Sequence, residues 1–205
     1  TYVNGGLFGP SCCHPERSEG SDIEIPRITE EIRDLILQRA SDDFDWSLIS
    51  PTIFGAVFES TLNPETRRAG GMHYTSIENI HKVIDPLFLD DLKQELADIK
   101  ATSVAKTKRD RAIAFQDKFS KLKFFDPACG SGNFLTESYT SLRRLENEAL
   151  RIIYGDNRVI GELADPIKVS INQFYGIEIN DFACSVAQTA LWIAEAQMMQ
   201  ETDEI

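Results

Sequence analysis

The fold is decided by the stretch Leu122-Lys123-Phe124-Phe125-Asp126-Pro127-Ala128-Cys129-Gly130-Ser131-Gly132-Asn133-Phe134. Its first four residues form a short apolar run with strong strand propensity. The glycines predict a tight turn, and the apolar spacing from Phe134 onward predicts a long amphipathic helix. A second strand-like run, Gln173 to Ile179, precedes an Ala-rich helix that Asp181 can cap. Strand, turn, helix, strand and helix in this order predict the beginning of a parallel α/β sheet.

The residues before this stretch are predicted to be mainly helical, after an aperiodic segment at 1–22. Thr29 is an expected helix cap, and Ser76 caps an apolar stripe that is expected to stop at Pro86. The helical patterns cover 29–38, 53–62, 76–86, 88–99 and 105–120. No internal repeat is present in this half of the chain.

Composition describes a globular chain of 205 residues with 42% hydrophobic residues and a net charge of −12. It has no apolar run long enough to span a membrane. Its four cysteines predict no disulfide framework and favour the reducing cytoplasm. The start is neither a signal peptide nor a natural initiator, so we expect a piece of a longer protein. The acidic balance argues against a free-standing nucleic-acid binder, although a DNA-reading module elsewhere is compatible with it.

Basic residues are concentrated between Val104 and Lys123, where seven basic and two acidic residues give a net charge of +5. One interpretation is the solvated face of a helix, which is the usual role of such a run. The other is a strip that faces phosphates, which requires the rest of the molecule to hold DNA nearby.

A cluster of Cys12, Cys13 and His14 raises the question of a zinc site. Adjacent cysteines lack the two- to four-residue spacer of structural zinc sites, and no second ligand pair follows. The sequence therefore predicts no metal site.

The glycine turn narrows the class of ligand. Gly130 and Gly132 allow backbone conformations that a β-carbon forbids, and the N–H groups at the helix start can face a polar ligand. No Lys-Ser or Lys-Thr pair follows Gly132, which excludes a phosphate-binding P-loop. Leu135 replaces the third glycine of a dinucleotide fingerprint, and Glu178 follows Gly132 by 46 residues instead of about 20. An NAD site is disfavoured and stays open.

Two carboxylates end the two predicted strands. Glu178 can accept hydrogen bonds from both ribose hydroxyls of a nucleoside bound across the strand ends, and Asp126 can orient the same ligand directly or through water. The alternatives are that Asp126 only caps the helix and that Glu178 is only solvated.

Several motifs resemble those of bacterial DNA adenine methyltransferases. Asp-Pro-Ala-Cys-Gly-Ser-Gly-Asn-Phe (126–134) resembles motif I, the loop that binds S-adenosylmethionine (SAM). Gly-Ile-Glu-Ile-Asn (176–180) resembles motif II, whose acid holds the ribose, and His73-Tyr74-Thr75 within 72–76 resembles motif X. Further similarity, over 54–59, 63–65 and 172–176, is to large single-chain restriction–modification enzymes that join nuclease, methyltransferase and DNA-reading domains. The order X, I, II is that of the gamma arrangement.

This resemblance implies a fold, a cofactor and a set of binding residues. The fold is α/β, with a mainly helical region at 1–120 and the first half of a class I (Rossmann-like) SAM-dependent methyltransferase sheet at 121–205. Asp126, Ala128, Gly130, Gly132 and Phe134 would surround SAM. Glu178 would hold its ribose, Ile179 and Asn180 would border its adenine, and Tyr74 and Thr75, with His73 beside them, would bind its methionine moiety.

The chain departs from the family pattern in two places. Residues 10–21 interrupt it, and their sequence is similar to runs read out of repeated bacterial DNA. An insertion and a functional loop are both compatible with this segment. The family's catalytic Asn/Asp/Ser-Pro-Pro-aromatic motif is absent, because none of the eight prolines is followed by another. We expect this motif to lie beyond Ile205, so that the piece by itself is inactive.

In the full enzyme the resemblance implies that a target adenine is flipped from double-stranded DNA and methylated on its 6-amino group. Positioning dominates such catalysis, so Cys129 is expected to be a packing residue and not a nucleophile. Most DNA contacts would come from regions outside this chain. The rival hypotheses are a non-catalytic remnant or subunit that needs a partner and, less favoured, a fragment of an NAD-dependent enzyme. Open sheet edges and apolar helix faces predict marginal stability or association.

Overall fold

The computed structural model describes residues 29–39, 49–53, 56–57, 75–155 and 166–203. Two of the predicted site residues, His73 and Tyr74, lie outside these ranges. So do the segment at 10–21 and the Cys12-Cys13-His14 cluster. All the other predicted site residues are described.

The first helix, α1 (Glu30–Leu37), begins where the sequence predicts it. The Thr29 hydroxyl caps it by accepting a hydrogen bond from the Ile32 N–H at 3.3 Å. Glu30 and Glu31 lie in its first turn, where negative charge stabilises the helix dipole. This helix belongs to a smaller unit, residues 8–50, and the elements below belong to the larger one.

Helix α2 (Ile77–Ile84) is capped by Ser76, as predicted, and buries Ile80 and Ile84. The α-helix ends at Ile84, just before Pro86, as expected, but the helical path does not end there. The chain continues through a π-helical turn (Asp85–Leu89) into α3 (Asp90–Lys100). Within this turn the Asp90 N–H donates to the Asp85 carbonyl, five residues earlier. Pro86 cannot donate a hydrogen bond to the Lys82 carbonyl, and its ring would crowd that carbonyl. The α-helix therefore gives way to a wider π-helical turn, and the helical path continues.

Two parallel strands follow the next helix, α4 (Ala105–Phe119). Strand β1 is Phe124–Asp126, and α5 (Asn133–Tyr154) comes after the glycine turn. A 3₁₀ turn at Ile171–Gln173 leads into β2 (Phe174–Gly176), and α6 (Asp181–Asp203) completes the described part of the chain. The strands pair in register, Phe124 with Phe174 and Asp126 with Gly176. The predicted α/β class and parallel pairing are confirmed, and helices make up most of the part of the chain that the structure describes.

The core forms where the helices cover the two strands. Phe174 is fully buried, its ring stacks on that of Phe124 at 4.9 Å, and the Tyr139 ring meets it edge-on at 5.6 Å. The Phe88 ring lies 5.0 Å from that of Phe124, which joins the π-helical turn to β1. Helix α5 also packs against both α4 and α6. Aromatic packing therefore fixes both strands beneath the glycine turn.

A buried ion pair holds the segment that leads into β2. Arg143 and Glu146 are both 0% exposed, and the Arg143 guanidinium donates to the Glu146 carboxylate at 2.6 Å. The same carboxylate accepts the Gln116 side-chain N–H at 2.9 Å and the backbone N–H groups of Lys168 and Val169 at 2.6 and 3.2 Å. Because one carboxylate takes four donors, α4, α5 and the approach to β2 are joined at one point.

Within the described ranges, no helix is both long enough and apolar enough to cross a bilayer.

Candidate cofactor-binding site

The glycine turn after β1 is built on the edge of β2. The Ile177 N–H donates to the Asp126 carbonyl, and the Cys129 N–H donates to the Ile177 carbonyl, both at 3.0 Å. The Asp126 carboxylate accepts the Ala128 N–H at 3.0 Å and so closes the first bend. The turn is therefore fixed by the neighbouring strand as well as by its own sequence.

Both glycines of the turn adopt the left-handed conformation, as their positions predict. Gly130 has φ +53° and Gly132 has φ +77°. A Cβ on Gly132 would lie 2.7 Å from the Cβ of Ala187 on α6, whereas a Cβ on Gly130 would meet nothing within 4 Å. Gly132 thus permits close packing of α5 and α6, and Gly130 faces open space.

A third glycine is required on the adjacent strand, and no sequence signal identified it as a packing residue. A Cβ on Gly176 would lie 2.6 Å from the Cys129 sulfur and 3.3 Å from the Leu135 side chain. Leu135, which replaces the third glycine of a dinucleotide fingerprint, is buried here. The close approach of strand to turn is made possible by Gly176 of β2.

The Glu178 carboxylate accepts three backbone hydrogen bonds at the end of β2. Its Oε1 accepts the N–H groups of Ile179 and Asn180 at 2.8 and 2.9 Å, and its Oε2 accepts the Gly130 N–H at 3.0 Å. An ionised carboxylate has about four acceptor positions. Glu178 therefore ties the glycine turn to β2 and keeps acceptor capacity on Oε2.

Asn180, and not Asp181, caps α6. Its side-chain oxygen accepts the Ala183 N–H at 2.9 Å, while Asp181 is the first helical residue. The expectation that Asp181 is the cap is wrong by one position. A cap precedes the first helical residue with an extended backbone, and Asp181 instead places its charge in the first turn.

Helix α5 starts without a side-chain cap, because its N-cap residue is Gly132. The Oδ1 atom of Asn133 is buried and has no hydrogen-bond partner. The N–H groups of the first turn point out of the helix start, which gives the turn both donors and an unsatisfied acceptor. This arrangement suits a ligand that carries charged polar groups.

The described site residues meet at one edge of the sheet. Asp126 is the last residue of β1. The residues that come after β1 are Ala128, Gly130, Gly132 and Phe134, and those that come after the adjacent β2 are Glu178, Ile179 and Asn180. The carboxyl ends of parallel strands lie at the same edge of the sheet. The two groups are therefore close together in the structure although they are far apart in the sequence. Ile179 is 90% exposed beside Glu178.

An apolar cavity of ≈ 300 Å³ lies beside this edge. It is lined by the start of the glycine turn (Asp126 and Pro127), by Phe125 and Phe134, and by the α2 residue Val83. Thr75, the described member of the predicted motif X, is half-buried just before the cap of α2. The helix that follows Thr75 therefore forms one wall of the cavity at the strand ends.

Cys129 is buried in the turn. Burial, with a smaller contribution from the nearby Asp126 carboxylate, raises the pKa of its thiol to about 12. A thiol with such a pKa is protonated at neutral pH and is a poor nucleophile. The prediction that Cys129 is a packing residue is confirmed.

No cluster of three or more His, Cys, Asp or Glu side chains suited to a metal ion occurs within the described ranges. The Cys12-Cys13-His14 cluster lies outside them, so the prediction that it holds no zinc stays a prediction.

The basic stretch around α4 is engaged in contacts within the protein. Arg109 donates to the Ile153 carbonyl at 2.9 Å, Arg111 donates to the Thr102 hydroxyl at 2.8 Å, and Lys118 pairs with Glu95. These contacts favour the interpretation of a solvated helix face that also joins neighbouring helices.

Comparison with known families identifies this arrangement. Residues 102–205 match the family described as the MmeI DNA-methyltransferase domain. The matched region begins before α4 and includes the glycine turn, Glu178 and α6. The chain belongs to the MmeI DNA-methyltransferase domain family.

Similar proteins carry related descriptions. Over 200 residues this methyltransferase domain is 42% identical to DNA methyltransferase A of Bacillus subtilis (strain 168), covering 98% of this chain and 20% of that protein. Over 76 residues it is 29% identical to the adenine-specific methyltransferase PglX of Streptomyces coelicolor, covering 37% of this chain and 6% of that protein.

A solved structure shares the fold. The type IIL restriction–modification enzyme MmeI, determined in complex with DNA, matches with a TM-score of 0.73 and 41% identity. The match covers 86% of this chain and 22% of that one. The methyltransferase domain described here therefore spans about one fifth of the length of B. subtilis DNA methyltransferase A and of MmeI.

Proposed function

We propose that the chain is the SAM-binding part of a site-specific DNA methyltransferase that methylates the 6-amino group of adenine in a restriction–modification system. Membership of the MmeI family supports DNA methylation. The observation that carries the cofactor proposal is the glycine turn at the strand edge, tied through the Gly130 N–H to Glu178.

The chemistry of this edge fits SAM. The uncapped start of α5 offers N–H donors, and the buried Oδ1 of Asn133 lacks a partner. No atom lies within 4 Å of the place where a Cβ on Gly130 would be, so a ligand can approach the backbone there. Donors, an acceptor and a close backbone approach suit a cofactor that carries an amino-acid group and a nucleoside. When bound, SAM supplies an activated methyl group.

Each site residue has an assigned role in this proposal. Glu178 orients the ribose through Oε2, the oxygen with remaining acceptor capacity, and Ile179 and Asn180 border the adenine ring. Tyr74 and Thr75 bind the methionine moiety, with His73 beside them. Asp126, Ala128, Gly130, Gly132 and Phe134 surround the cofactor. The chain's own contribution is to bind and orient the methyl donor.

Adenine as the methylated base is supported by the name of one relative, the adenine-specific methyltransferase PglX. Double-stranded DNA as the partner is supported by the structure of MmeI in complex with DNA. The net charge of −12 argues that most phosphate contacts are made by regions outside this chain. We infer that the whole protein acts in the cytoplasm, where DNA is accessible.

The two parallel strands are the start of a Rossmann-like sheet in this proposal. Parallel sheets are covered on both faces, yet Phe125 of β1 is 58% exposed and Leu87 beside the apolar cavity is 71% exposed. These exposed apolar residues also support the alternative of a non-catalytic subunit that needs a partner to complete its sheet.

Calorimetric titration of the chain with SAM, with S-adenosylhomocysteine (SAH) and with NAD tests the cofactor assignment. We expect heat from SAM and SAH and none from NAD. Gly130→Asp fills the open space beside the turn without the clash that Gly132 would suffer, so it should abolish binding in a folded protein. Heat from NAD alone, or none from SAM and SAH with a folded chain, would refute the assignment.

Methyl transfer distinguishes the enzyme from the non-catalytic subunit. The chain is supplemented with the remaining part of a relative such as B. subtilis DNA methyltransferase A, labelled SAM is added, and labelled bases in DNA are identified. Label on N6 of adenine supports the proposal. Label on cytosine contradicts the adenine assignment, and SAM binding without transfer in any combination favours the non-catalytic alternative.

A further inference from the structure

His81 of α2 places each of its ring nitrogens against a carboxylate. Nδ1 lies 2.8 Å from Oδ1 of Asp85, one turn along the chain, and Nε2 lies 3.1 Å from Oε1 of Glu137 on α5. The His81 side chain is 30% exposed and that of Glu137 is 11% exposed. The imidazole ring therefore bridges two helices that are separated by 56 positions in the sequence.

Only the imidazolium ion can satisfy both contacts. A neutral ring has one N–H donor and one acceptor nitrogen, and the acceptor would face a carboxylate oxygen. The hydrogen bond to Asp85 and, more weakly, that to Glu137 raise the pKa of His81 against the opposing effect of burial. Lys93 also donates to Asp85 at 3.1 Å, so the contacts form a network of two cations and two anions.

The bridge lies at the same distance from the start of each helix. His81 is five residues after the cap Ser76, and Glu137 is five residues after the N-cap Gly132. Five residues correspond to about 7.5 Å of helix rise. Further along, Lys100 pairs with Glu148 at 2.5 Å, so the chain from α2 to α3 runs in the same direction as α5. Both helices therefore begin at one end, with Thr75 preceding one and the glycine turn preceding the other.

We infer that His81 and Glu137 are positioning residues that hold the Thr75 end of α2 in place against the glycine turn, and that cofactor affinity depends on the protonation of His81. This inference rests on the proposed SAM site between those two helix starts. His81 acts through the helices and does not touch the cofactor.

His81 is the histidine among the charged groups around the bridge, and the contacts described above raise its pKa. Asp85, Lys93 and Glu137 contact the bridge, and a cavity of ≈ 420 Å³ next to it is also lined by three charged residues: Lys100, Arg144 and Glu148. Glu78 and Lys82 pair with each other at 3.0 Å on the exposed side of α2. The ordinary pKa values of carboxylates, lysines and arginines lie outside the range from pH 6 to 9, whereas that of histidine lies within it.

The direction of the effect follows from the donor count. As pH rises through the pKa of His81, the ring loses a donor and one carboxylate contact is broken. Helices α2 and α5 are then held less firmly, and affinity for the cofactor falls. Linkage requires the reverse as well, so a bound cofactor must raise the pKa of His81.

The test is a pair of measurements on the full chain: the pKa of each histidine by NMR with and without SAH, and calorimetric SAH affinity from pH 6 to 9. We expect SAH to raise the His81 pKa and the affinity to fall about fivefold or more across this range. Glu137→Gln should flatten the pH profile. The matched control Glu78→Gln, on the same helix and in an exposed ion pair, should keep it.

The outcomes separate this inference from the function on which it rests. SAH binding with an unchanged His81 pKa and a flat pH profile would overturn the positioning role and leave the cofactor site standing. A His81 pKa that is not raised in the unliganded chain would show that the bridge does not form. No SAH binding at any pH, with the chain folded, would overturn both proposals.

Discussion

The backbone nitrogen of Gly130 lies 3.0 Å from Oε2 of Glu178, 48 residues away in the sequence. This hydrogen bond joins the turn after β1 to the end of β2. It depends on the left-handed conformation of Gly130 and on the parallel pairing that brings the two strand ends together. The carboxylate predicted to orient a ligand thus also shapes the turn that would surround it.

Replacing Glu178 with Gln should weaken both the turn and ligand binding. The amide NH₂ would face the Gly130 N–H, donor against donor, while the remaining oxygen can still accept the N–H groups of Ile179 and Asn180. We expect the free energy of unfolding to fall by about 1–3 kcal/mol. We expect SAH affinity to fall by about tenfold or more, which corresponds to about 1.4 kcal/mol. Urea unfolding and calorimetry measure the two effects.

The matched control for this variant is Glu201→Gln on α6, where the carboxylate is partly exposed and lies 3.9 Å from Arg144. This change should leave SAH affinity unchanged, since Glu201 lies far along α6 from its start beside the site. Equal loss in both variants would contradict a specific role for Glu178.

The two turn glycines should respond differently to alanine. Gly132→Ala adds both left-handed strain and a contact of 2.7 Å with Ala187, whereas Gly130→Ala adds strain alone. Strain of this kind costs about 1–2 kcal/mol, so Gly132→Ala should be the more destabilising by a further 1 kcal/mol or so. Adding Ala187→Gly to Gly132→Ala should recover part of the loss, as measured by a double-mutant cycle. Additive effects would mean that the two residues are not in contact.

Cys129 and Cys184 should resist thiol reagents in the folded chain. Both are buried, and burial raises the pKa of each thiol, that of Cys129 to about 12. At pH 8 a thiol with such a pKa is about one part in ten thousand thiolate. We expect N-ethylmaleimide to modify peptides that contain these residues only after unfolding, as read by mass spectrometry. Cys129→Ala should keep SAH affinity within about twofold, and a larger loss would assign the sulfur a role beyond packing.

The buried ion pair predicts a large and specific loss of stability. Glu146→Leu leaves the Arg143 guanidinium without a counter-charge and removes the acceptor of four hydrogen bonds, so the free energy of unfolding should fall by about 3–5 kcal/mol. Glu148→Gln, two residues along the same helix in an exposed pair with Lys100, should cost less than about 1 kcal/mol. Chemical denaturation measures both. Similar losses in the two variants would show that the pair is not buried as described.

The contribution of His81 to stability should depend on pH in a defined direction. Its raised pKa gives stability that is complete below the ordinary histidine value of 6.5 and is lost as pH rises through the folded value. The hydrogen bond from His81 lowers the pKa of Asp85, which gives stability that is complete above 3.8 and is lost on acidification. The stability difference between wild type and His81→Gln, about 1 kcal/mol or less, should therefore be largest between pH 4 and 6.5. A difference that stays constant from pH 5 to 9 would contradict this.

Much of the candidate site could be predicted because its signals are local. The glycine turn, the two strand ends and the caps of α1 and α2 each follow from a few adjacent residues. Asn180 was missed as the cap of α6 because a polar pair such as Asn180-Asp181 offers two candidates, and only the backbone geometry chooses between them. Pro86 does end the α-helix before it, but the continuation of the chain through a π-helical turn was not predicted, because it depends on how the turn accommodates the proline ring.

Other contacts have no signal in the sequence. His81 and Glu137 are ordinary members of amphipathic helices, as are Arg143 and Glu146, and nothing in their spacing shows which helices meet. Gly176 and Ala187 were visible only as parts of a motif and of an Ala-rich helix. Their importance comes from the 2.6–2.7 Å approaches that a Cβ would make at Gly176 and Gly132.

The sequence by itself determined the α/β class, the parallel strands, the position of the glycine turn and the pair of carboxylates that end the strands. These features depend on backbone conformation and on periodicity, which neighbouring residues dictate. Only the tertiary structure decided that Glu178 accepts the Gly130 N–H, that Arg143 forms an ion pair with Glu146 in the core and that His81 joins α2 to α5. Each of these contacts joins residues brought together by helix packing, and the geometry of that packing is a property of the whole core and not of any local stretch.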